Sequence, residues 1–83
     1  MNANIVEMTR GHIVLDLNGK TVKIEGEAFL RGHGSPDFVL YRNSIVSWNS
    51  PFDHVALTIS DKETILAAAA ECLSMRGISF EIE

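Results

Sequence analysis

The chain has a single cysteine, a single tryptophan and two prolines, and it is short of positive charge, with seven Lys and Arg against eleven Asp and Glu. One cysteine excludes an intramolecular disulfide and any multi-cysteine zinc site, and it points to a reducing compartment. A net charge of −4 argues against a nucleic-acid binder, because phosphate contacts require a basic face. No apolar run approaches the ~20 residues that a membrane span needs. The opening MNANIVEMTR has no basic stretch followed by an apolar h-region, so no secretory signal is expected. Repeats, low-complexity tracts and linkers are absent too, and 83 residues correspond to one domain.

Catalytic and metal signatures are equally sparse. No His-x-x-x-His pair, CxxC, phosphate-cradling glycine loop or nucleophile elbow occurs. His12 belongs to a strand, opposite Glu25 on the solvent side. His33 lies in a glycine-flanked loop, and Asp53 and His54 are neighbours that point to opposite sides of a strand. Solvated histidines account for all three better than metal ligands do. Cys72 falls on a helical apolar stripe, where a thiol acts as a small, inert, buried hydrophobe. No cofactor, no metal and no catalytic residue is expected.

What the sequence does contain is a clear pattern of elements. In HIVLDLNGKTVKIEGEAFL, Asn18-Gly19 supplies the two positive-φ residues of a type I′ turn between alternating runs. A two-residue loop sets Leu17 opposite Lys20, Asp16 opposite Thr21, Leu15 opposite Val22 and Ile13 opposite Ile24. Residues 5–8 add a short strand before the hairpin. RGHGSPD, residues 31–37, is a loop. FVLYR and SIVSW form two strands, or one strand bent at Arg42-Asn43-Ser44. Residues 49–53 are a second loop, and HVALTI, residues 54–59, alternates as a half-buried strand does. The following segment predicts the one helix, at about 61–76. It opens with a capping box of Ser60 and Glu63, carries the stripe Ile65, Leu66, Ala69, Cys72 and Leu73, and closes at Gly77. A last strand over 78–82 should run parallel to 54–59. The expected fold is α+β: a small, mixed, mainly antiparallel sheet of five or six strands, with one helix near the C-terminus on one face and the other face partly bare.

The stretch SWNSPFDH, residues 47–54, concentrates aromatic and loop-forming residues. Trp48 either closes one end of the core or anchors an interface, since tryptophan is both highly buried on average and favoured in binding hot spots. Phe52, between a proline and an aspartate, is expected to be exposed at the loop tip.

The S-I-x-x-W strand, the proline–acid loop and the terminal helix and strand together resemble the immunity protein 74 family. The matching positions are Tyr41, Ser44, Ile45, Trp48, Pro51 and Asp53, then Ile65, Leu66 and Gly77, so the resemblance spans nearly the whole chain. These are small cytoplasmic antidotes of bacterial polymorphic-toxin and contact-dependent growth inhibition systems. The resemblance implies a non-catalytic inhibitor, located in the cytoplasm, whose partner is a cognate protein toxin, the C-terminal domain of a large secreted protein. Such proteins often face nucleases, whose clefts are basic, and an acidic domain would then stand in for the displaced phosphates. Toxin-binding positions on this reading are His33, Asp37, Trp48, Asn49, Phe52 and Asp53, drawn from the two loops and, for Trp48, from the strand that leads into the second. Two other functions compete. One is a small-molecule or peptide-binding regulatory module that uses the bare sheet face, with a pocket lined by Phe29, Phe38 and Tyr41. The other is a hydrolase built on His33, Asp37, Asp53 and His54, which requires those side chains to converge.

Overall fold

The computed structural model describes residues 2–30 and 34–83. Its strands are β1 (Ala3–Met8), β2 (His12–Leu17), β3 (Lys20–Ala28), β4 (Phe38–Leu40) and β5 (Phe80–Ile82), with a single α-helix, α1 (Ile59–Met75). The sheet order is β1-β2-β3-β4-β5, antiparallel except for the β4–β5 pair. The architecture is therefore α+β, an open, mainly antiparallel sheet of five strands with one helix late in the chain.

The β2–β3 hairpin has the register that its turn dictates. Leu17 pairs with Lys20, Asp16 with Thr21, Leu15 with Val22, Ile13 with Ile24 and His12 with Glu25. Asn18 and Gly19 take positive φ, 54° and 91°, as a type I′ turn requires. Ile13, Leu15, Leu17, Val22 and Ile24 are buried on one face of the sheet. They pack into a single core with Phe38, Leu40, Ile45 and Trp48 and with the helical residues Ile65, Leu66, Ala68, Ala69 and Leu73. Gly26 is required where β3 meets β4. A Cβ there would lie 2.2 Å from the Val39 carbonyl oxygen and 2.4 Å from the Phe38 ring.

The helix has well-formed ends. Thr58 caps it by accepting from the Asp61 amide, while the Asp61 carboxylate accepts from the Thr58 amide. At the far end, Gly77 (φ 72°) donates to the Ser74 carbonyl and Ile78 to that of Leu73, the paired bonds of a Schellman closure. The helix also covers the free edge of β1. Arg76 Nη2 donates to the Ile5 carbonyl at 3.0 Å, and Cys72 Sγ lies 3.6 Å from the Ala3 carbonyl oxygen. An irregularity in pairing between Ile5 and Glu7 interrupts the same strand. Both features remove an edge that could template another chain.

Several expectations are corrected. The capping box is Thr58–Asp61, not Ser60–Glu63, so the helix starts at Ile59. Residues 54–59 form no strand: Val55 and Leu57 pack half-buried against the core, but the segment is turns followed by an unpaired extended stretch. The partner of the final strand is accordingly β4, with Phe38, Val39 and Leu40 opposite Phe80, Glu81 and Ile82, and that strand begins at Phe80 rather than 78. SIVSW is not a strand either. After β4 the chain makes a 3-10 turn at Arg42–Ser44, then runs along β3 as a strap held at a few points. Tyr41 donates from its amide to the Glu25 carbonyl, Ser44 Oγ accepts from the Glu25 amide, and the Asn49 amide donates to the Thr21 carbonyl. Cys72 is half-buried, not buried; Ala68 takes the place in the buried stripe that the helical spacing gave to Cys72.

Candidate functional site

The loop 49–53 begins on the last contact of the strap with β3. Asn49 is held twice, by its amide to the Thr21 carbonyl at 2.9 Å and by its side-chain amide to Thr21 Oγ1 at 3.1 Å. Two turns follow, with Phe52 donating to the Asn49 carbonyl and Val55 to the Phe52 carbonyl, around a cis Ser50–Pro51 bond. This geometry folds Phe52 back onto the core, so it is half-buried rather than exposed at the tip, while Pro51, Asp53 and His54 face solvent. Trp48 is core: it is 4% exposed. The Lys20 ammonium sits over both aromatic rings, 5.2 Å from that of Trp48 and 5.8 Å from that of Phe52, a cation–π arrangement that fastens the loop to the hairpin end. Among the described residues, the buried indole Nε1 of Trp48 has no hydrogen-bond partner.

Asp37 performs a structural task in the other loop. Its amide donates to Ser79 Oγ and its carboxylate accepts from the Ser79 amide, which aligns β5 beside β4. Its carbonyl accepts from the Phe29 amide at the end of β3. His33 lies outside the described residues. The described parts of the two predicted loops therefore do not meet. Asn49 is tied to Thr21 and Asp37 to Phe29, at opposite ends of β3, roughly 25 Å apart at the rise of an extended strand. Asp37 and Asp53 accordingly do not converge as the hydrolase reading requires. Among the described residues, no three His, Cys, Asp or Glu side chains lie together as a metal site would need. His12 sits on the face away from the helix, as expected, but its Nε2 lies 2.6 Å from Glu7 Oε2 and its Nδ1 3.2 Å from Thr9 Oγ1. The small-molecule reading meets a geometric obstacle: Phe38 is fully buried, whereas Phe29 and Tyr41 lie at the surface.

Sequence reasoning missed the open face of the sheet as a surface with its own chemistry. The residues alternating with the core positions are His12, Val14 and Asp16 on β2, Thr21, Lys23, Glu25 and Glu27 on β3, Val39 on β4 and Glu81 on β5. Glu27, Val39 and Glu81 share one rung. The Tyr41 hydroxyl donates to Glu27 Oε2 at 3.1 Å. That bond, burial and the charges of Glu27 and Glu83 raise the Tyr41 pKa. Between β3 and the strap, Lys23, Glu25, Ser44, Val46, Ser47 and Asn49 line a groove of about 430 Å³. The signal for this face was present as the polar half of each alternating strand, but only the register shows which acids stand side by side.

The described residues include no helix long and apolar enough to cross a membrane. No curated protein and no solved structure matches the chain. The motif positions in the resemblance prove largely architectural: Ile45, Trp48, Ile65 and Leu66 are buried, Ser44 ties the strap to β3, and Gly77 closes the helix. The sequence model described as immunity protein 74 matches residues 5–83, and the chain belongs to that family.

Proposed function

We propose that the protein binds a cognate toxin domain and neutralises it in the cytoplasm, with no catalysis of its own. The observation that carries this reading is the family match along essentially the whole chain. The partner on this reading is the C-terminal toxin domain of a polymorphic toxin, delivered by contact-dependent growth inhibition or a related route. A nuclease is the favoured toxin class, because its substrate cleft is basic and the chain is acidic. Of the positions expected to touch the toxin, Asn49, Phe52 and Asp53 form one continuous loop. Trp48 supports that loop from beneath, and Asp37 belongs to the far end of β3.

The test is co-expression in a bacterial host with the toxin domain encoded beside this gene. Growth should be restored by the wild-type chain. Continued toxicity, with the chain present and folded, would remove the antidote reading. Phe52→Ala and Asp53→Ala should each weaken binding by more than about 1 kcal/mol, with stability unchanged in Asp53→Ala and lowered in Phe52→Ala by the lost core packing. Full affinity in both variants would take the loop out of the interface.

A further inference from the structure

Only one face of the sheet is covered by the helix, and charge divides sharply between the two sides. Glu7, Asp16, Glu25, Glu27 and Glu81 occupy open-face strand positions, and Glu83 lies beside Tyr41. These are six of the eleven acids in the chain, whereas Lys23 is the one Lys or Arg among the described strand positions of that face. The acids around Tyr41 are not neutralised internally: among the described residues the ion pair is His12 with Glu7, and none involves Glu25, Glu27, Glu81 or Glu83. Glu27 and Glu81 flank Val39 on one rung, and no cation of the described residues is paired with either, so their charge is left facing outwards.

Two further features lie beside these acids, Tyr41 next to Glu27 and Glu83 and Val46 in the groove that Glu25 lines. Val46 is 76% exposed and Tyr41 36%, an aliphatic and an aromatic side chain at the surface with charges around them. That is the distribution of a protein–protein interface, with apolar or aromatic anchors inside a polar rim. Beside Val46 the edge of β3 is open. Thr21 and Glu25 turn their main-chain groups towards the strap and are bonded there. Lys23, midway between them, must turn the same way, and among the described residues its amide and carbonyl have no partner on that edge. A donor, an acceptor and an apolar side chain therefore line one groove, which Glu25 joins to the acids around Tyr41.

We propose that this open face, centred on Tyr41 and Val46 and ringed by Glu25, Glu27, Glu81 and Glu83, is the surface that holds the partner, and that the partner presents a Lys- and Arg-rich protein surface to it. The inference rests on the toxin-binding reading and assigns its interface. Asn49, which lines the same groove, joins this face to the 49–53 loop.

The probe is the purified toxin domain encoded beside the gene, titrated calorimetrically into the wild-type chain and two variants at several salt concentrations. Glu25→Gln with Glu27→Gln keeps side-chain shape and removes two charges from the face. Glu63→Gln with Glu71→Gln removes the same charge from exposed helix positions. The face variant should bind about tenfold or more weakly and with a flatter salt dependence, while the helix variant keeps wild-type affinity. Circular dichroism verifies that both fold; should the face variant not fold, Val46→Ala takes its place and should also weaken binding. Unchanged affinity in the face variant, or an equal loss in the helix variant, would overturn the assignment while leaving toxin binding intact. Absence of binding by the wild-type chain would instead overturn the toxin-binding reading itself.

Discussion

Gly26 illustrates how one hydrogen in place of a methyl group governs a strand junction. The Cβ of an alanine would strike backbone, the Val39 carbonyl at 2.2 Å, and a carbonyl within a ladder cannot swing away as a side chain can. Gly26→Ala should therefore destabilise the fold by about 1–3 kcal/mol or more, measured as a lower urea midpoint. At Trp48 the indole ring and its N–H act in opposite directions. Burial of the ring is strongly stabilising, while an orphaned buried N–H costs about 1–3 kcal/mol. Trp48→Ala should cost about 3–5 kcal/mol, and Trp48→Phe much less, because it keeps an aromatic beneath Lys20 and removes the orphan. Equal losses in the two variants would show that the N–H is satisfied. Tyr41 gives a pH signature. Its pKa in the fold lies above the ordinary 10.0, so below that pH the hydroxyl is protonated in both states and stability is unaffected. As pH rises past 10.0 the unfolded chain loses its proton first, and stability falls until the folded hydroxyl has also ionised. Melting temperatures of the wild type and Tyr41→Phe should diverge only in this alkaline range.

For the helix, two adjacent cap signals compete. Thr58 is followed three residues later by Asp61, and Ser60 by Glu63, so both satisfy the capping-box pattern. The structure uses the first, with reciprocal bonds of 2.9 and 3.0 Å. Thr58→Ala should cost about 0.5–2 kcal/mol in thermal melts, whereas Ser60→Ala, an exposed change within the first turn, should be nearly silent. The reverse order would place the box at Ser60. The same bonds from Thr58 lower the Asp61 pKa below its ordinary 3.8. Asp61 therefore contributes stability above that pH, lost as pH falls through the folded value. Residues 54–59 carry a related lesson. Alternation of Val55, Leu57 and Ile59 reports core contact for the first two but not for Ile59, which opens the helix and is 80% exposed, and it says nothing about whether the backbone has a hydrogen-bonding neighbour. The β2–β3 hairpin was legible because a two-residue turn specifies both at once.

Across the whole molecule, local chemistry could be read from the sequence and long-range pairing could not. Trp48 was correctly assigned to one of two alternatives only when the strap was seen to carry it beneath Lys20, a residue 28 positions earlier. The two candidate loops looked equivalent because both flank the same segment. Their separation follows from β3 being nine residues long with one loop anchored at each end. The acidic open face was hidden for a similar reason, since the pair Glu25 and Glu27 is far in the chain from the pair Glu81 and Glu83, and the β3–β4–β5 register sets the two pairs on one face. On the proposed reading this family member is a binder whose partner lies on the sheet face away from the helix. Amide hydrogen exchange, compared between the free chain and its complex with the adjacent-gene toxin domain, tests it most directly. Slowed exchange should appear along β3, at Tyr41 and through residues 44–49, with the solvent side of α1 unchanged. Protection confined to the helix, or no protection at any amide, would contradict the account.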